Sequence, residues 1–255
     1  MKKLIIALLV FACIFFSCAV TEGIDYRMYS TEELLEMRAA INREINSRVP
    51  EEQSISHLFH IGDQISFGHY EQDNDKSNGE EPIIWRIISI EDNKALLLSV
   101  YALDYMSFDL NYRGQWDVST MRSFLNNSFF DMAFDEEEKV LICPASISTP
   151  ATKDLFETSK DVPDTVDKVF LLSYQELVKY LPRQADWKTE VTPFAAEADP
   201  DKYKSGDWWL RNNGEREVDL IVMRQNYAVW SWRAMDEAYV RPAIWVDLTA
   251  MEFVK

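Results

Sequence analysis

Trp208-Trp209-Leu210-Arg211 and Val240-Arg241-Pro242-Ala243-Ile244-Trp245 are the two stretches on which the fold of this chain turns. Successive side chains of a strand point to opposite faces, so two adjacent tryptophans put one indole on each side of a sheet. Each stretch also sets one arginine beside apolar bulk. A guanidinium in such a place either pairs internally or faces a ligand. Large aromatics are more often core than surface, so Trp208 and Arg241 are expected to be structural. Trp209 and Arg211 stay among the ligand-binding candidates. Between the two stretches, Trp230 and Trp232 lie two apart on one face of a strand, with Tyr227 and Arg233 nearby. Loop-rich ends carry binding residues more often than cores do. There an indole stacks on a sugar ring or apolar ligand, and an arginine makes paired hydrogen bonds to a polar group.

Composition bounds the rest. The chain has 255 residues, 47% hydrophobic and 27% charged, the make-up of a globular protein rather than a disordered one. A formal net charge of −17 repels phosphate backbones, which argues against nucleic acid as a partner. Eight tryptophans need a core or a binding surface to use them.

The N-terminus reads as a targeting segment. Lys2 and Lys3 precede the apolar run Leu4 to Phe16, which is short for a bilayer span. Ser17-Cys18 then resembles a relaxed bacterial lipobox, although Phe15 stands where leucine is usual. The expected organisation is a signal peptide over 1–17, a tether over 18–29 lipidated at Cys18, a helix over 30–48 and a domain over 57–250. That places the protein at the cell envelope as a membrane-anchored lipoprotein facing periplasm or exterior. Two of the three cysteines lie in the signal region, so Cys143 has no partner for a disulfide within the domain.

Ser30 and Glu33 form a capping box, and Leu34, Met37, Ile41 and Ile45 make one stripe at helical spacing, which predicts an amphipathic helix. Gln64 to Phe67 alternates as a strand. Ile83 to Ile90 and Ala95 to Val100 flank Glu91-Asp92-Asn93 as a hairpin. Ser119 caps a helix carrying Met121, Leu125 and Phe129, and Asp135 with Glu138 repeats the capping box. Residues 144 to 167 read as a long surface loop. Val169 to Leu172 is a buried strand, Ser173 and Glu176 cap a helix to about Leu181, and Arg183 to Ser205 is a polar segment. Strands follow at Trp208, at Val218 to Met223, at Tyr227 to Trp232 and at Val240 to Leu248. Short strands with few helices give an α+β domain.

The words Gly62-Asp63-Gln64-Ile65-Ser66-Phe67-Gly68 and Pro82-Ile83-Ile84-Trp85-Arg86-Ile87-Ile88 resemble the opening of the bacterial domain family of unknown function 6273. Trp116, Ser119, Arg122, Leu125, Asn126, Phe130 and Phe134 are similar to its middle helix. Val169 to Ser173, the Trp208 strand and the Val240 strand are similar to its end, so the resemblance runs over residues 60 to 248. The ending also looks like that of C-type-lectin-like domains and formylglycine-generating enzymes. The resemblance therefore implies a single C-type-lectin-like domain of short, mostly antiparallel strands. This chain departs from the family in two places. Tyr239 follows Ala238 where glycine is usual, and Asn212-Asn213-Gly214 replaces Ser-Pro after Arg211.

Weighing the chemistry favours a non-enzymatic binding domain for carbohydrate or an envelope protein. The alternatives are an exported enzyme on a formylglycine-generating-enzyme-like scaffold and an envelope scaffold protein. The reactive cysteine pair of formylglycine generation is missing, and no nucleophile elbow is present. No catalytic residues, cofactor or metal are assigned. Asp73, Asp75 and Ser77 begin like a calcium loop, but glycine sits one place late and Ile84 stands where a glutamate belongs; an Asx-rich turn is expected instead. Arg122 and Asn126 share one helical face and, with Trp116, are expected to lock helix to sheet. His57, His60 and His69 are expected at the surface.

Overall fold

The computed structural model describes residues 28–48, 58–199 and 206–248. The signal segment, Cys18, His57 and most of the tether lie outside them. Among the described residues no helix is long and apolar enough to cross a membrane.

The hairpin that alternation predicts is the centre of the first sheet. Strands β2 (Glu81–Glu91) and β3 (Lys94–Ser99) pair antiparallel with Glu91 opposite Lys94. Asp92 and Asn93 turn the chain with φ of 48° and 60°. Left-handed φ at both turn positions is the two-residue geometry that matches the right-handed twist of the strands. β1 (Gln64–Tyr70) adds on one side, and β12 (Ala243–Asp247) followed by β7 (Val169–Phe170) on the other, in the order β1-β2-β3-β12-β7. Ile83, Trp85, Ile87, Leu96, Leu97, Leu98, Ile244 and Val246 are buried, so the strands read as near-continuous apolar runs because both faces are covered.

The second sheet has the order β10-β9-β8-β11-β4, formed by β4 (Asp104–Ser107), β8 (Trp208–Asn213), β9 (Asp219–Met223), β10 (Val229–Arg233) and β11 (Glu237–Val240). Its neighbours are antiparallel except β11 and β8. The chain passes from this sheet to the first at Arg241-Pro242, between β11 and β12. Proline has no N–H to offer a ladder, and its carbonyl accepts from Ser99 N at 3.0 Å. Tyr70 Oη donates to Asp104 Oδ2 at 2.8 Å, tying β1 to β4.

Helix α1 (Thr31–Arg48) starts at the Ser30–Glu33 box, where Ser30 N donates to Glu33 Oε2 at 2.9 Å and Glu33 N to Ser30 Oγ at 3.2 Å. Met37 and Ala39 are buried, whereas Ile41, expected on the inward stripe, is 45% exposed. Arg38 pairs with Glu137 and Arg43 with Asp247, each at 3.3 Å, joining the helix to the domain. Helix α2 runs from Thr120 through a π turn at Leu125–Phe129 to Ala133, with Met121, Leu125 and Phe129 buried. α3 (Glu136–Lys139) and α4 (Tyr174–Tyr180) both begin with complete capping boxes.

Two segments depart from the sequence expectation. Residues 144 to 167 contain β5 (Ala145–Thr149) and β6 (Val162–Asp167), paired antiparallel. This hairpin buries one face, through Ile147, Thr149 and Val162, and its many polar residues face water. The polar stretch after Arg183 holds a 3-10 turn, Gln184–Trp187, and α5 (Pro193–Ala198), which is capped by Thr192 and begins on Pro193. Proline at the first turn suits a helix start, because its missing N–H has no partner there anyway.

Candidate functional site

Both indoles of the decisive stretch are core. Trp208 is 1% and Trp209 0% exposed, because each face of β8 is covered. Their N–H groups stay inside, Trp208 Nε1 on Trp187 O and Trp209 Nε1 on Met106 O, both at 2.9 Å. Arg211 is fully buried and is clasped by Glu176. Its Nη2 donates to Glu176 Oε1 and Ser148 O at 2.7 Å, and its Nε to Thr149 Oγ1 at 3.0 Å. Trp209 and Arg211, ligand candidates on sequence grounds, are thus corrected to internal positions, since neither side chain has a face toward solvent. Asn212 and Asn213, residues of turn composition, lie inside the sheet. They belong to β8, and Asn212 accepts from Tyr174 N at 2.7 Å while donating to Pro150 O at 2.8 Å.

Arg241 sits at the crossing between the sheets. Its Nε donates to Ser99 O at 2.9 Å, and its guanidinium lies 5.1 Å from the centroid of the Trp208 ring. Burial, reinforced by the like charge of Arg86 and opposed by Asp186, pushes Arg241 down to about 9. The other signature residues tie α2 to β6 and β7. Trp116 Nε1 and Arg122 Nε donate to the two oxygens of Asp167 at 2.8 and 2.7 Å. Asn126, presented by the π turn, donates to Val169 O at 2.8 Å and accepts from Lys168 N at 2.8 Å. One amide therefore satisfies the outer edge of the first sheet, where β7 has no further strand.

The exposed end of the second sheet is different. A cleft of about 370 Å³ opens beside β10 and β11, lined by Trp232 and Tyr105, by Asp207, Arg224 and Glu237, and by the buried pair Tyr239 and Asp199. That size suits a small ligand. The rings of Tyr105 and Tyr239 lie 4.9 Å apart, and Trp232 packs edge-on against Trp209 at 6.4 Å. The buried indole thus fixes the attitude of the half-buried one. Tyr239 Oη donates to Asp199 Oδ2 at 2.6 Å, and burial together with that carboxylate keeps the phenol protonated. Gly206 stands behind Tyr239, where a Cβ would come within 1.8 Å of the ring. Arg224 Nε donates to Asp207 Oδ2 at 2.8 Å while its guanidinium covers Trp230 at 4.4 Å.

Of the sequence candidates, Trp232 lines this cleft and Trp230, 49% exposed, extends its rim through Arg224. Tyr227 lies in the turn before β10 at φ 68°, with Lys188 Nζ 4.7 Å from its ring centroid. Arg233 is turned to Asp236, Nη2 to Oδ1 at 2.6 Å, and is not part of the wall. Sequence reasoning missed Tyr105, Asp199, Asp207, Arg224 and Glu237. The single signal was Tyr239, where the resemblance implied glycine.

The Asp73–Ser77 segment is a run of Asx turns, with Asp75 N on Asp73 Oδ1 at 2.7 Å and Ser77 N on Asp75 Oδ1 at 3.1 Å. Glu71, Asp73 and Glu81 bring one carboxylate oxygen each within 4.8 Å of the others, a set able to receive a cation. Glu81 is also occupied in closing the loop, accepting from Gln72 N at 2.7 Å and Asp73 N at 3.2 Å. His60 and His69 are exposed. Burial and the charge of Asp247 raise the Cys143 thiol, which makes it a poor nucleophile.

Fold and cleft together define an α+β domain with two five-stranded sheets and an aromatic, carboxylate-rimmed cleft at one end of the second. The family model described as Domain of unknown function (DUF6273) matches residues 92–248, and the chain belongs to that family. The match begins in the β2–β3 turn, so β1 and β2 precede it in sequence yet complete the same sheet. No curated protein and no solved structure matches the chain.

Proposed function

We propose that this protein is an exported, lipid-anchored, non-enzymatic binding domain of the bacterial cell envelope, and that its ligand is a carbohydrate held in the cleft beside β10. The observation that carries this reading is the pair of half-buried rings, Trp232 and Tyr105, beside Asp207, Arg224 and Glu237 in one cleft. Ring faces pack against the C–H faces of a pyranose, while carboxylates and a guanidinium receive its hydroxyls. Export and anchoring through Cys18 are supported by the order Lys2-Lys3, apolar run, Ser17-Cys18. A C-type-lectin-like architecture is supported by the sequence of aromatic strand, loop and arginine-bearing strand over β8 to β12.

A glycan array and a peptidoglycan pull-down with the full chain test the ligand. Binding should fall by about ten-fold or more in Trp232→Ala, the loss of a stacked ring. Binding that is unaffected by Trp232→Ala and by Trp230→Ala would remove the site. Metabolic labelling with a fatty acid, compared between the chain and Cys18→Ala, tests the anchor, and equal labelling overturns it.

A further inference from the structure

The cleft is not neutral. Among the described residues, the carboxylates of Asp207 and Glu237 line it with one guanidinium, Arg224, while Asp199 is buried and accepts from Tyr239 Oη. That guanidinium is already committed, ion-paired to Asp207 at 2.8 Å and laid over Trp230 at 4.4 Å. Glu237 is exposed on β11 and has no ion-pair or hydrogen-bond partner for its side chain among the described residues. The aromatic rings around the cleft show what they prefer. Arg224 covers Trp230, and Lys188 covers Tyr227 at 4.7 Å. The cleft ring Trp232 carries no cation from the described residues, although it stands in the same neighbourhood. A cation over the electron-rich face of an indole is attracted by the ring quadrupole, most strongly where water is partly excluded. An adjacent carboxylate adds a charge-assisted hydrogen bond to an N–H donor.

We infer that the cleft selects a protonated amine on its ligand, so that, given the carbohydrate reading above on which this rests, the preferred sugar is an amino sugar whose nitrogen is free rather than acetylated. The ammonium sits between the Trp232 face and Glu237, and the pyranose ring lies toward Tyr105. Neutral N-acetylated sugars offer the same stacking surface without the charge, and anionic sugars meet the rim with the wrong sign. The overall charge of −17 steers a cationic ligand inward as well.

Calorimetric titration of the full chain with chitobiose and with its fully N-deacetylated counterpart separates the two levels of this reading. The sugars differ in acetyl groups and charge. The deacetylated sugar is expected to bind about ten-fold tighter or better at low salt. Glu237→Gln, an exposed and near-isosteric change, should remove most of that preference, read as the ratio of the two affinities within the variant, whatever it costs chitobiose binding. Equal affinity for the two sugars, or tighter binding of chitobiose, overturns amine selection and leaves the carbohydrate reading standing. Failure of both sugars to bind overturns amine selection and counts against the carbohydrate reading too. A preference that survives Glu237→Gln unchanged removes the assigned carboxylate and with it the geometry argued here.

Discussion

At the residue scale, the two arginines that drew attention in the sequence are both buried and bonded internally. Arg211 is fully buried and bonded on every side, to Glu176, Thr149 and the carbonyls of Leu171 and Ser148. Removing one partner of such a pair strands the other charge, so Arg211→Ala should cost about 3–5 kcal/mol in urea unfolding. Arg211→Lys should recover only part of this, because an ammonium cannot reproduce the paired geometry. Tyr70 makes a second, pH-dependent case. Asp104 is raised above its ordinary value by burial, against the hydrogen bonds it accepts from Tyr70 Oη and Tyr105 N. The folded state therefore binds this proton more tightly than the unfolded one. Its effect on stability is unfavourable as pH rises through the folded value, and it disappears in acid. Tyr70→Phe removes a stabilising donor and should cost about 1–3 kcal/mol near neutrality. The loss should shrink as pH falls below the folded value of Asp104. A loss independent of pH would mean that the charge on Asp104 adds nothing to this hydrogen bond.

At the element scale, what was legible was local. The β2–β3 hairpin and the starts of α2, α3 and α4 depend on residues within a few positions of one another, and each appears where its sequence signal stands. Asn93 at φ 60° is such a signal. Asn93→Val should lower stability by about 1–2 kcal/mol, the cost of a branched side chain in left-handed backbone. Asn93→Gly should be neutral or stabilising, and equal effects of the two changes would count against a conformational cause. The β5–β6 hairpin was missed because its inward positions, Ile147, Thr149 and Val162, are scattered among Ser, Pro, Asp and Lys. A strand with one wet face and small polar residues has little hydrophobic signal to give. Asn212 and Asn213 have turn composition, but Asn212 bonds to Tyr174 N and Pro150 O, and Asn213 accepts from Ser159 Oγ, inside the fold.

At the scale of the whole molecule, charge should act on folding and on binding with opposite signs. A net charge of −17 repels itself in the compact state, so raising salt from low ionic strength should raise Tm. The same salt screens attraction between an ammonium ligand and the carboxylate rim, so affinity for the deacetylated sugar should fall while that for chitobiose changes little. Thermal melts and titrations over one salt series measure both slopes. Parallel slopes would mean that the rim charge has no part in binding.

Sequence by itself determined the α+β class, the order of most strands, the helix starts and the place of the two decisive stretches in the fold. Those follow from periodicity and from contacts a few residues long, which the chain writes in its own order. Only the tertiary structure decided which tryptophans are core and which are wall. Trp209 and Trp232 are alike in sequence, yet one is sealed beneath the sheet and the other leans edge-on over it into the cleft. The cleft gathers Tyr105 on β4, Asp199 after α5, Arg224 beyond β9 and Glu237 on β11. Long-range pairing brings those four segments to one end of a sheet, and no local pattern records a neighbour that is more than a hundred residues away.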